Sequence, residues 1–92
     1  MPYTLHVLFY DYGPDIATRR APFREAHLGL IESYNRDGRL TIAGAYGDPV
    51  HGGLLVFSSQ EAAEQFHGED PYARNGLVES WRVEPWTVVT PE

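Results

Sequence analysis

Two short segments of this chain combine residue types suited to acid–base chemistry. The first is Arg24-Glu25-Ala26-His27-Leu28, and the second is Asp70-Pro71-Tyr72. His27 falls on the apolar side of a helical pattern that also holds Phe23, Leu30, Ile31 and Tyr34. An imidazole titrates near working pH, so it takes up and returns a proton without large energetic preparation. Asp70 is a carboxylate able to fix the imidazole tautomer and stabilise the imidazolium, provided the fold brings the two positions together. Each residue also has a plainer reading. A histidine on an apolar helix face is commonly a hydrogen-bonded core residue. Asp before Pro is a good N-cap followed by the residue best tolerated at the first helical position. The two roles of Asp70 are compatible, since one carboxylate oxygen can cap while the other accepts a hydrogen bond from His27.

Arg24 precedes His27 by three positions and so neighbours it on a helix. Its guanidinium suits an anionic or enolate oxygen, or else it is a solvated cation paired with Glu25 or Glu32. Arg74 carries the same two readings. His6, His51 and His67 form no His-x-His or His-x-x-x-His pair, and His67-Gly68-Glu69-Asp70 has no recognised ligand spacing, so no metal site is expected. His51 is expected on an exposed hairpin tip. The glycines make neither a dinucleotide fingerprint nor a phosphate loop, and no serine sits in a nucleophile elbow. Tyr10, Tyr34, Tyr46, Tyr72, Trp81 and Trp86 are chiefly core and interface residues, and those that line a pocket favour a flat or ring-containing ligand.

Composition narrows the function classes. The chain has 92 residues, seven Arg, no Lys, no Cys and a formal net charge of −6. An acidic surface repels phosphate backbones, so nucleic acid is not an expected partner. Without lysine there is no Schiff-base chemistry, and without cysteine there are neither disulfides nor thiolate ligands to supplement a small core. Burial of the 42% apolar residues must supply stability, and subunit association is a natural second source. No apolar run approaches a membrane span, and Met1-Pro2-Tyr3 leads straight into strand-like sequence, so a cytoplasmic location away from membranes is expected.

The elements that must position the pair follow from periodicity. Residues 3–10 alternate as a strand, with Tyr3, Leu5, Val7 and Phe9 on one side and Thr4, His6, Leu8 and Tyr10 on the other. Asp11-Tyr12-Gly13-Pro14-Asp15 reads as a loop. A helix follows, with Pro22 near its first turn, and ends about Arg36 before a Gly38 suited to a left-handed cap. Residues 39–46 and 54–57 read as strands joined by a flexible 47–53 connection. Ser58 or Ser59 caps a second helix whose inner face is Ala62, Ala63 and Phe66. A short turn covers 72–77, and a last strand covers 78–89 with a bulge or bend at Pro85. This order is the βαββαβ of a ferredoxin-like α+β domain, with two helices on one face of a four-stranded antiparallel sheet. The other face is expected to carry His6, Leu8, Tyr10 and one tryptophan. So apolar a face calls for a second copy packing sheet against sheet.

Arg24-x-x-His27-Leu28, Gly38-x-Leu40, Gly44, Gly53, Ala62-Ala63, Asp70-Pro71-Tyr72 and Glu84-Pro85-Trp86 occur in the order and spacing of one family. On these residues the chain resembles the YCII-related family across 3–88, which implies one YCII-like domain over 1–92. The resemblance implies a ferredoxin-like homodimer related to the dimeric α+β barrels, with a catalytic His–Asp pair near the dimer interface. Position by position, that pair is His27 and Asp70. Family members with assigned chemistry act on small ring compounds or remove halide from aromatic substrates. The resulting expectation is a small cofactor-independent enzyme moving a proton on a ring or carbonyl compound, by isomerisation, elimination or dehydrohalogenation. Arg24 and Tyr72 are then substrate-binding candidates, and a small molecule is the expected ligand. The alternative is a non-catalytic dimeric binding or accessory module in which the His–Asp pair is structural. A third reading, an oxygen-dependent monooxygenase of the related barrel type, rests on architecture alone.

Overall fold

A computed structural model describes residues 2–90. Alternating apolar residues drive four strands: β1 (Tyr3–Tyr12), β2 (Leu40–Gly47), β3 (Val50–Phe57) and β4 (Val78–Val88). They pair antiparallel in the order β2-β3-β1-β4, which is the ferredoxin-like arrangement. Between them lie α1 (Ile16–Arg19), a 3-10 turn (Ala21–Phe23), α2 (Arg24–Arg36), α3 (Gln60–Glu69) and α4 (Pro71–Arg74). Among the described residues, no helix is long and apolar enough to cross a membrane.

Helix boundaries follow local chemistry. Pro22 falls in the 3-10 turn rather than in the first turn of one continuous helix, so α2 begins just after it. Gly38 adopts φ 86°, the left-handed conformation that ends the helix at Arg36 as the sequence predicts. Ser59 Oγ accepts from the Ala62 N–H at 3.1 Å and caps α3. Asp70 caps α4 through the Tyr72 N–H at 3.1 Å, and Pro71 takes the first helical position.

The core lies between the sheet and helices α2 and α3. Leu8, Tyr10, Leu55 and Phe57 from the sheet pack against Tyr34 of α2 and Ala62, Ala63 and Phe66 of α3. Phe66 is fully buried among aromatic neighbours, with Tyr34 at 5.2 Å and Phe57 at 5.4 Å between ring centroids. Truncating it to alanine is expected to cost about 3–5 kcal/mol.

Further features differ from the sequence reading. The two sides of β1 are exchanged: Leu8 and Tyr10 face the helices, and Val7 and Phe9 face the open side with Leu54, Val56 and Trp86. Both sets are apolar, so periodicity fixes which residues share a face but not which face the helices cover. The 47–53 connection is largely strand, because β3 starts at Val50 and leaves only a tight Asp48–Pro49 turn. The irregularity of β4 lies opposite Asp11 and Tyr12, where the register shifts between Ser80 and Val78. Pro85 sits in regular register opposite His6, tolerated because β4 is an edge strand.

Candidate functional site

The end of α3 turns sharply at Asp70, whose extended backbone (φ −68°, ψ 121°) aims the following residues back beneath α2. This brings positions 27 and 70 together. His27 Nδ1 and Asp70 Oδ1 are 2.6 Å apart. The carboxylate is completely buried, and the histidine is 6% exposed. Asp70 Oδ1 accepts both this bond and the capping bond from the Tyr72 N–H. One oxygen therefore performs the two roles that the sequence divides between two.

The second oxygen, Oδ2, is buried beside the Tyr10 hydroxyl. Neither meets hydrogen-bond geometry with any partner among the described residues. Even so, the Asp70 charge and hydrogen bonding add to burial, the larger cause, in raising the Tyr10 phenol well above the usual tyrosine range. Tyr10 thus stays a neutral phenol behind the pair. It was assigned to the open sheet face from sequence, and only the correct choice of face exposes its role.

His27 is stacked face to face on Tyr72, with centroids 3.7 Å apart and planes within 5°. Phe66 meets its edge at 6.2 Å. The ring is clamped between the carboxylate and these aromatic planes. His27 also lines a cavity of about 220 Å³ between α2 and the sheet. Arg20, Arg24, Tyr12, Tyr72, Ile31 and Leu55 contribute to the walls, and Ala43, Gly44 and Ala45 of β2 form the far side. Asp70 does not reach the cavity; it lies behind His27. With Nδ1 engaged, Nε2 is the ring nitrogen left for a ligand.

Arg24 and Tyr72, the sequence candidates for substrate contact, both line this cavity. Arg74 does not line it, nor do His6, His51 or His67. His51 meets Tyr46 edge-on at 5.2 Å, and His67 stacks on Trp81 at 3.8 Å, where burial lowers its pKa. The His67–Asp70 segment is therefore divided, with His67 turned to β4 and Asp70 turned to α2.

Tyr12 and Arg20 complete the wall, and neither was singled out from sequence. The sequence places Tyr12 in a loop, although one more step of the Leu8, Tyr10 alternation reaches it. Its ring lies over Gly53, where an added Cβ would come within 2.6 Å of the phenol oxygen. Gly53 thus gives Tyr12 room to lie across the sheet. Burial, reinforced by the Asp70 charge, pushes the Tyr12 phenol well above the ordinary range. Tyr72 is also raised, chiefly by burial, while the Arg20 and Arg24 charges oppose the shift. The cavity thus offers one imidazole, two neutral phenols and two guanidinium groups.

The YCII-related domain model matches residues 4–87. Protein YciI of Escherichia coli O6:H1 is 30% identical over 96 aligned positions, covering 92% of this chain and 98% of that protein. Among solved structures, 5-chloro-2-hydroxyhydroquinone dehydrochlorinase (TftG) of Burkholderia phenoliruptrix AC1100, in complex with 2,5-dihydroxybenzoquinone, superposes with a TM-score of 0.72. It is 22% identical and covers 89% of this chain and 92% of its own. A NIPSNAP domain protein from Burkholderia xenovorans superposes with a TM-score of 0.58 at 11% identity, covering 98% of this chain and all of its own. At these identities the two structures establish a shared fold.

Proposed function

This chain belongs to the YCII-related family, and from that premise we propose that it is a small enzyme using His27 as general base and then acid, oriented by Asp70. Its substrate is a small ring or carbonyl compound, and the chemistry needs no cofactor. The observation that carries the reading is the placement of one imidazole between a buried carboxylate and an open cavity. Structural kinship with a dehydrochlorinase gives elimination from a ring as the leading reaction class.

The mechanism uses only proton transfer. The His27 Nδ1–H donates a hydrogen bond to Asp70 Oδ1, which leaves the Nε2 lone pair free. Nε2 removes a proton from a ring hydroxyl or from a carbon beside a carbonyl, and the electron pair left behind becomes a new π bond. On a halogenated hydroquinone the displaced ring pair takes the proton back from the imidazolium at the halogen-bearing carbon, giving a keto tautomer that then loses a second proton to Nε2. In an elimination, halide leaves with its bonding pair. In an isomerisation, the imidazolium returns the proton at another carbon. Asp70 stabilises the imidazolium formed between these steps, and Arg24 and Tyr72 hold the substrate. Such positioned acid–base help is worth roughly two to four powers of ten in rate.

A structural reading of the pair draws on one specific observation, the second hydrogen bond that Asp70 Oδ1 accepts from the backbone of α4. Chloride release from 5-chloro-2-hydroxyhydroquinone and a panel of related halogenated hydroquinones, measured with wild type and His27→Asn, separates the readings. Turnover abolished in a variant that melts like wild type supports the enzyme. Full turnover in His27→Asn refutes His27 as the base, and a large loss of melting temperature with no turnover by wild type favours the structural tie.

A homodimer belongs to the same proposal. The open sheet face exposes Ile42, Leu54 and Trp86 around two apolar hollows of about 380 and 340 Å³. Arg82 lies over the Phe9 ring and pairs with Glu84. A second copy of the same face is an apt cover, because it brings apolar surface against apolar surface.

A further inference from the structure

An acidic chain gives an unpaired arginine special weight. Thirteen Asp and Glu residues outnumber the seven Arg. Arg36, Arg39 and Arg82 each pair with a carboxylate, and Arg19 donates to the Pro14 carbonyl. Arg20, Arg24 and Arg74 make no ion pair among the described residues, and of these three Arg20 and Arg24 border the His27 cavity, whose walls include no Asp or Glu. Asp70 contacts neither guanidinium: its hydrogen bonds go to His27 and the Tyr72 N–H.

Both guanidiniums act on the cavity rather than on bulk solvent alone. Arg20 opposes the rise in pKa of both Tyr12 and Tyr72, and Arg24 opposes that of Tyr72. Arg24 also opens α2, where the positive end of the helix dipole disfavours a cation. A bound anion between these positive groups turns that unfavourable placement into a favourable one.

Resting on the proposed catalytic role of the cavity, we propose that its substrate is already an anion on arrival: a single substituted ring bearing a carboxylate or an ionised ring hydroxyl, held by Arg20 and Arg24 with His27 facing the ring. Arg20 is then a substrate-binding residue and a determinant of specificity. An apolar cavity of about 150 Å³ takes benzene, so about 220 Å³ accommodates one ring with its substituents. Two cations against one anionic group also leave positive charge to stabilise the extra negative charge that develops when His27 removes a proton.

Equilibrium binding tests this without requiring turnover. Titration calorimetry compares benzoate with benzamide, and 2,5-dihydroxybenzoquinone, ionised at neutral pH, with 2,5-dimethoxybenzoquinone. At least one anion should bind about tenfold or more tighter than its neutral partner. The arm that shows the preference identifies carboxylate or ring oxyanion as the recognised group. The preference should collapse in R20Q/R24Q and in high salt, while binding of the neutral analogue changes little. It should persist in His27→Asn, which removes the base but not the arginines. Equal affinity for anion and neutral analogue, no binding of either anion at millimolar concentration, or a preference that survives R20Q/R24Q overturns the proposal. The salt series on wild type keeps the test decisive if the double variant folds poorly. Failure of the acid–base reading would instead show as turnover independent of His27 with anion binding intact.

Discussion

Asp70 offers a substitution series that separates its two tasks. Asp70→Asn keeps an oxygen able to accept from His27 Nδ1 and the Tyr72 N–H, but removes the charge. Asp70→Ala removes both. The alanine variant loses an N-cap worth about 1 kcal/mol and leaves the buried His27 Nδ1–H without a partner at about 1–3 kcal/mol. For a domain of this size each kcal/mol shifts the melting temperature by about 4–8 °C, so a fall on the order of 10–30 °C is expected. The asparagine variant should melt within a few degrees of wild type. Catalysis should respond differently. With Nδ1 and Oδ1 2.6 Å apart, the charge centres of imidazolium and carboxylate are about 4 Å apart. At an effective dielectric near 20 their attraction is about 4 kcal/mol, so Asp70→Asn should lower turnover roughly a thousandfold. Differential scanning fluorimetry and chloride release on one protein preparation read the two effects side by side. Turnover within about threefold of wild type in Asp70→Asn would refute electrostatic stabilisation of the imidazolium.

Three further perturbations probe the architecture. Gly53→Ala should push Tyr12 off the sheet and weaken ligand binding in the cavity while leaving the fold intact, which calorimetry and circular dichroism can check; unchanged binding would show that Tyr12 does not shape the site. Trp86→Glu should convert the proposed dimer to monomer in sedimentation velocity, and a variant that remains dimeric would move the interface off the open face. Alkaline pH should destabilise the fold: the Tyr34 phenol is pushed up to about 12 by burial and its hydrogen bond to Glu69, and burial raises Tyr10 and Tyr12 further. These phenols stay neutral in the native state when the unfolded chain ionises near pH 10. Their contribution is complete below about pH 10 and is lost as pH rises toward and through the native pKa values. Each adds about 1.4 kcal/mol per pH unit to the slope, so the pH dependence of stability of Tyr10→Phe above pH 10, read by urea unfolding, should be less steep by one such increment, and an unchanged slope would contradict Tyr10 as a neutral buried phenol.

The pattern of strands and helices was legible because alternation, caps and breakers are local. Ser59, Asp70 and Gly38 act within one turn of their own positions. The pairing of His27 with Asp70 was legible through family resemblance, since no local rule brings residues 43 positions apart into contact. The helix-covered face of β1 was not legible. Leu8 and Tyr10 compete with Val7 and Phe9 at nearly equal apolarity, and packing by α2 and α3 decides between them. From that ambiguity came the omission of Tyr10 from the site, whereas Tyr12 was hidden by the breaker cluster that reads as a loop at 11–15. Arg20 was hidden for another reason: its significance lies in the carboxylates missing around it, a property of three-dimensional neighbours.

The segment Ala43, Gly44 and Ala45 forms one wall of the His27 cavity and also one wall of the larger apolar hollow on the opposite side of the sheet. It belongs to β2, an edge strand hydrogen-bonded along one side only. The partition between the two spaces is therefore a single layer of small residues with no third layer to stiffen it. In the proposed dimer, the copy settled against the open face would press on the floor of the His27 cavity, and the cavity's shape would then belong to the pair as well as to the chain.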